Sequence, residues 1–329
     1  MPIDVTMFDR MTPELLRFYE QAEKRLTLLL GQAGISRFSY RRTELLLQQI
    51  DSTVRALEQG QRGWSQKHLP TAYRQGVNLT AEAYRLPVLP AMTLIDRGSI
   101  EAVIARVMAD TAGGLESIAP FARRMWVDTQ QTIVKETQMA QLIAEGRVEG
   151  LGPKELGRRI TQTLKDGASQ RLKGYVPEGL RGNLERAARG EFITIKGRHY
   201  NMKKYGELVA QTATRQAATE GAIAETLVLG GDLMQLTVHS GACPVCLPWQ
   251  GKIFSISGRT PGFPLLTNER RAPLHPRCRH ATIGVDADIL EERGWMGGLR
   301  DFSASDRAVD SAQAWGKFVG ASPATLGAA

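Results

Sequence analysis

Cysteine is scarce in this 329-residue sequence, and its count is odd: Cys243, Cys246 and Cys278 are all there are. So few thiols in a chain of this length exclude a disulfide framework. Long apolar runs are missing too. None approaches the roughly 20 residues that a membrane-spanning helix needs, so no membrane contact is expected. The segment Met1 to Arg10 holds Asp4 and Asp9 and no apolar stretch, which speaks against a secretory signal. The expected setting is a cytosol, or a particle assembled in one. Catalytic signatures are absent as well. There is no G-x-x-x-x-G-K-[ST], G-x-S-x-G, G-x-G-x-x-G or H-E-x-x-H, and no H-x-E of the nucleobase deaminases. The expectation is a protein that is not an enzyme.

What is present suits a folded chain. The hydrophobic fraction is 42% and the charged fraction 23%, enough apolar surface for a real core. Lys and Arg number 42 against 34 Asp and Glu, for a net charge of +8. The excess is spread along the chain. Such a balance favours phosphates or acidic partner surfaces, although many soluble helical proteins carry it with neither.

The first half reads as successive helices. Thr12 and Pro13 form a helix start, with Thr12 able to cap. Leu15, Phe18, Tyr19, Ala22, Leu26 and Leu29 then recur at helical spacing, and Gly31 closes the run. A second helix is predicted over Tyr40 to Gln59, with Leu46, Ile50, Val54 and Leu57 on one face and Gly60 after it. A third spans Thr71 to Tyr84 and stops before Pro87 and Pro90. Further helices fit Ser99 to Thr111, Ile118 to Lys135 and Pro153 to Lys165. The apolar stripes are read as core-packing faces.

The pattern changes near residue 190. Phe192 to Ile195 is a short β-type run, Lys196 to His199 a turn, and Tyr200 to Met202 a returning strand. Tyr205 to Val228 is an amphipathic helix broken by Gly230 and Gly231. Leu233 to His239 and Lys252 to Ile256 read as strands. The expected fold class is α+β: a mainly helical N-terminal part, then a smaller α+β domain holding a Cys/His knuckle. The domains are set at 1–190, 191–300 and a flexible tail at 301–329 rich in Ala, Gly and Ser.

All three cysteines and three of the five histidines fall in one region. Cys243 and Cys246 make a C-x2-C pair; His275 and Cys278 make H-x2-C after 28 intervening residues. Zinc wants four such ligands in a tetrahedron, and a tight turn brings residues three apart to one side. Cys243, Cys246, His275 and Cys278 are therefore the expected ligands of a structural Zn2+, with His280 and His239 as substitutes. Pro244 and Pro276 restrict the two turns. Arg270, Arg271, Arg277 and Arg279 would offset the excess negative charge of three thiolates. Two other readings stay open, a redox pair and small buried hydrophobes.

Several segments, in this order and spacing, carry a family resemblance: ITIKGRHYNMKKY (193–205), VAQTATRQA (209–217), GDL (231–233), HSGA (239–242), CPVCLPWQGKIFSISG (243–258) and HPRCRH (275–280). With GPKEL (152–156) as a helical lead-in, the chain resembles the phage minor capsid protein 2 family, related to the Mu F-type head morphogenesis proteins. The resemblance is specific over about 190–285 and looser before it. It implies a structural, low-copy component of the virion, in the head interior at the portal vertex, assembled in the bacterial host cytoplasm. The implied partners are the portal protein and capsid or scaffold proteins, with non-specific contact to packaged DNA; the implied work is head assembly, with an influence on DNA packaging or ejection. The rival reading is a zinc-dependent nuclease or DNA-binding module.

Overall fold

The computed structural model describes residues 6–32, 40–87, 94–135, 178–238 and 242–292. Helices α1 (Thr6–Asp9), α2 (Thr12–Gln32), α3 (Tyr40–Ala83), α4 (Leu94–Glu116), α5 (Ile118–Lys135) and α6 (Glu178–Ala188) come first. A hairpin of β1 (Ile193–Ile195) and β2 (Arg198–Tyr200) precedes helix α7 (Met202–Val228). Strands β3 (Leu233–Leu236), β4 (Ile253–Ser255) and β5 (Thr282–Val285) follow, then helix α8 (Ala287–Glu292). A helical first part and a smaller region of mixed helix and strand make the fold class α+β, as the sequence predicts. The expected helix over Pro153 to Lys165, the lead-in at 152–156 and the tail lie outside the described residues.

The chain forms two compact units, each assembled from separate stretches. One comprises Met1–Pro13, Trp64–Asp110 and Leu208–Ala329; the other comprises Glu14–Gly63 and Thr111–Glu207.

The second unit is built on helical faces. Leu15, Tyr19, Ala22, Leu26 and Leu29 of α2 are buried, as are Leu46, Ile50, Val54 and Leu57 of α3, so the apolar stripes face a core. Inside it a polar chain is satisfied end to end: the Tyr19 hydroxyl donates to Gln61 Oε1 at 2.5 Å, and Gln61 Nε2 donates to Thr111 Oγ1 at 2.6 Å. Phe121 meets Phe192 edge-on at 6.0 Å, and the Arg186 guanidinium lies over Phe121 at 4.4 Å. The hairpin turn is two residues long, Lys196 and Gly197, both with positive φ (47° and 77°). That tight geometry matches strand twist, so β2 starts at Arg198, earlier than the expected Tyr200, and Met202 already begins α7.

Two helix expectations need correction. The segments predicted at Tyr40–Gln59 and Thr71–Tyr84 are one helix, α3. Gly60 does not end it. A side chain at Gly60 would meet the Phe18 ring, so this glycine serves close packing of α2. Pro70 also lies inside the helix, where packing of buried Leu69, Ala72 and Tyr73 outweighs the lost backbone donor. Thr12 does not cap α2: its hydroxyl is buried and makes no hydrogen bond.

In the first unit, α3 and α7 touch backbone to backbone. A Cβ at Gly76 would collide with the Ala218 carbonyl, and one at Gly221 with the Tyr73 carbonyl. This approach sets α7 against the end of α3. The three-stranded sheet has order β4-β3-β5, antiparallel throughout. Its β5 edge is fastened to α3, because Thr80 Oγ1 accepts from Gly284 N at 3.2 Å and the Tyr84 hydroxyl donates to the Val285 carbonyl at 3.1 Å. Strand β5 had no counterpart in the sequence reading.

Candidate metal centre

The sheet register decides where the two knuckles meet. Strand β3 ends at Leu236, while β4 and β5 begin beside that end, with Gln235 opposite Ile253 and Leu236 opposite Thr282. The C-x2-C turn precedes β4 and the H-x2-C turn precedes β5. Both turns therefore hang from the same end of the sheet, although 28 residues separate Cys246 from His275.

Each turn is closed by its own backbone. Cys246 N and Leu247 N donate to the Cys243 carbonyl at 3.0 and 2.9 Å, and Cys278 N donates to the His275 carbonyl at 3.0 Å. The first turn is tied to β3 through Gly251 N to the Leu236 carbonyl and Leu236 N to the Lys252 carbonyl. The second is clasped by two threonines: Ala281 N donates to Thr237 Oγ1 at 3.0 Å and Ala272 N to Thr282 Oγ1 at 2.8 Å. Beneath them Leu236, Trp249, Phe254 and Ala272 form a small apolar cluster.

The side chains converge. His275 Nε2 lies 3.1 Å from Cys243 Sγ and 2.9 Å from Cys246 Sγ. Cys246 Sγ is 3.7 Å from Cys278 Sγ, which is 3.6 Å from His280 Nδ1. Two groups of three result, Cys243–Cys246–His275 and Cys246–Cys278–His280, each with ligand atoms within 4.8 Å of one another. Cys246 belongs to both. These groups stand close enough to hold a metal ion. Cys246, Cys278 and His280 are buried, whereas Cys243 and His275 are partly exposed.

The donor types, thiols and imidazoles, are those of a tetrahedral zinc site. Two sulfurs bound to one zinc at about 2.3 Å stand roughly 3.8 Å apart, close to the Cys246–Cys278 separation. Both imidazoles are also oriented from behind, as metal-bound histidines are. His275 Nδ1 lies 2.8 Å from the Pro276 carbonyl, which can only accept, so Nδ1 carries the proton and Nε2 offers its lone pair to the thiols. His280 Nε2 donates to Gln250 Oε1 at 3.0 Å and turns Nδ1 toward Cys278.

The bond between Cys246 and Cys278 moves their acidities in opposite directions. A hydrogen bond from Cys246 holds the Cys278 thiol well below its usual range against the cost of burial, with His280 and His275 adding to the effect. Cys246 is pushed up, first by that same bond to Cys278 and then by burial. None of the three cysteines is disulfide-bonded.

Gln250 and the threonine clasps were not foreseen. Gln250 sits in the same CPVCLPWQGK stretch as the cysteines, but its partner is a histidine 30 residues away, known only once the sheet is formed. Asp232 was missed likewise. It accepts from the Ser255 hydroxyl, from Ser257 N at 2.7 Å and from Thr260 Oγ1 at 2.6 Å, so it fastens the loop after β4. His239, the other substitute ligand, lies outside the described residues.

Residues 185–285 match the family model of phage minor capsid protein 2. This segment is a domain of that family. It contains the hairpin, α7, the whole three-stranded sheet and every clustered Cys and His. The match supports a phage structural role. No curated protein and no solved structure matches the chain. Among the described residues, no helix is long and apolar enough to cross a membrane.

Proposed function

We infer that the protein is a minor, non-enzymatic component of the phage head, acting at the portal or inner capsid during head assembly, and that one zinc ion staples its C-terminal domain. The family match over 185–285 carries this reading. The excess of Lys and Arg supports a place near packaged DNA. The partners are the portal protein and capsid or scaffold proteins.

Three thiols and an imidazole are the ligand set of a structural zinc site, which is closed and leaves no position for substrate. Cys243, Cys246, His275 and Cys278 would hold the ion, with His280 as substitute. When bound, zinc supplies four bonds that lock the turn before β4 to the turn before β5. That binding energy becomes folding energy of the domain. A closed site disfavours the rival reading as a zinc-dependent nuclease, which needs an open position for water.

The test is composition of purified particles. Mass spectrometry of mature virions and of portal-containing assembly intermediates should find the protein at low copy. Its absence from both would overturn the assignment.

A further inference from the structure

Three sulfurs form a chain of contacts that leads from the surface inward. Cys243 is partly exposed, whereas Cys246 and Cys278 are each 1% exposed. Cys246 belongs to both three-member groups, one with Cys243 and His275, the other with Cys278 and His280. Its Sγ lies within 4.8 Å of Cys243 Sγ and touches Cys278 Sγ at 3.7 Å. Neither group contains both Cys243 and Cys278. Bond exchange between those outer sulfurs therefore passes through Cys246.

The two links of this chain differ in what a covalent bond would do. Cys243 and Cys246 lie in one turn, so a disulfide between them closes a small local ring and leaves the knuckles unlinked. Cys246 and Cys278 are 32 positions apart and come one from each knuckle. A disulfide there joins the turn before β4 to the turn before β5, the same two turns that zinc would hold. It closes the longer loop, which restricts the unfolded chain more. It is also buried, which shields it from thiols that would reopen it. Three thiols supply one such bond and leave one over, the partly exposed Cys243.

We propose that the cluster is a staple converted by oxidation, in which a peroxide displaces zinc and leaves a Cys246–Cys278 disulfide in its place. The inference rests on the zinc reading for its starting state. The head-protein reading gives it an occasion, since thiols stay reduced in a cytosol and meet oxidants once a particle is released. The accessible Cys243 thiolate attacks the peroxide, the O–O bond breaks, and Cys243 becomes a sulfenic acid with loss of one water. Cys246 then displaces the sulfenic oxygen as a second water and forms the Cys243–Cys246 disulfide. Cys278 attacks the Cys246 sulfur, and Cys243 departs as the thiolate. In sum, two thiolates, one hydrogen peroxide and two protons give one disulfide and two waters, with two electrons passing from sulfur to oxygen. Zinc loses two sulfur ligands and leaves.

The test uses the full chain, purified under reducing conditions, its zinc content measured, and then treated with hydrogen peroxide. Samples are alkylated at intervals and peptide-mapped without reduction, while a chromogenic chelator follows zinc. A Cys243–Cys246 bond should appear first and give way to Cys246–Cys278, with Cys243 alkylated and one zinc released per disulfide. Oxidised protein should then exchange amides over residues 231–286 at least about tenfold more slowly than reduced protein in chelator. A final product with Cys243 bonded to Cys246, a bond between two chains, or thiols carried on to sulfinic acid would overturn the proposal. So would oxidised protein that exchanges as fast as the reduced, chelated chain. Protein that holds no zinc yet forms the Cys246–Cys278 bond would sink the zinc staple and leave the disulfide standing. Zinc-bearing protein that never forms the bond would sink the disulfide alone. Both outcomes are independent of the head-protein reading, which the composition of particles tests.

Discussion

The helical unit around α2 and α5 and the small lobe around β3 hold themselves together by different means. The first buries large side chains in quantity; Trp126, Tyr19, Leu15, Leu26, Ile50 and Leu57 are all nearly inaccessible. The second has strands of three or four residues and two small apolar clusters, one around Leu233 and one around Leu236. Strands this short bury little apolar surface of their own, and small natural domains often add a staple. Here the staples are polar: Asp232 on one loop, two threonine clasps, and the Cys/His cluster at the sheet end. Side-chain packing fixes the helical unit, whereas a few bonds between distant residues fix the lobe.

Breaking the cluster should have the largest effect, and a local one. Cys278→Ser removes a buried member of the proposed zinc site, and such sites contribute folding energy outright. Residues 231–286 should lose amide protection from hydrogen exchange while α2 and α5 keep theirs. Equal protection in wild type and variant would erase the contrast between the regions. The reverse experiment is Trp126→Ala, whose cavity should cost about 3–5 kcal/mol in thermal or denaturant unfolding and leave metal content unchanged.

A smaller effect is expected at Asp232. Desolvation pushes its pKa up, but the hydrogen bonds from Ser255, Thr260 and Ser257 outweigh this and hold it below the usual carboxylate range. The charged form is thus favoured in the fold. Its contribution is complete above the ordinary Asp range and disappears as pH falls through the lowered value. Asp232→Asn should destabilise the lobe by about 1–3 kcal/mol at neutral pH, and the gap to wild type should close in acid. A gap that does not change with pH would remove the carboxylate from the account. The subtlest change is Gln250→Ala. Losing the partner of His280 should leave zinc affinity nearly unchanged in a competition titration if His275 is the fourth ligand, whereas a loss of about 10–100-fold would put His280 in its place.

The same contrast explains how much was legible beforehand. Helical periodicity picked out Leu15, Tyr19, Leu26, Leu46 and Ile50, and all are buried. Such patterns are local, so sequence carries them. It misjudged α3, because Gly60 and Pro70 are helix breakers unless neighbours make room for them, as Phe18 does at Gly60. The C-x2-C and H-x2-C spacings marked which side chains could converge, since each knuckle is a local turn. That both hang from one end of the sheet depended on β5. A four-residue strand with a central glycine, Gly284, gives no signal of its own until Thr80 and Tyr84 are placed against it. The partners Gln250 and Asp232 were illegible for the same reason.

X-ray absorption at the zinc edge, on protein purified without added metal or chelator, bears most directly on the staple. One zinc per chain with three sulfur neighbours near 2.3 Å and one nitrogen near 2.0 Å is the expected result. Protein that holds no zinc, or holds it in a shell of oxygen and nitrogen only, would contradict it.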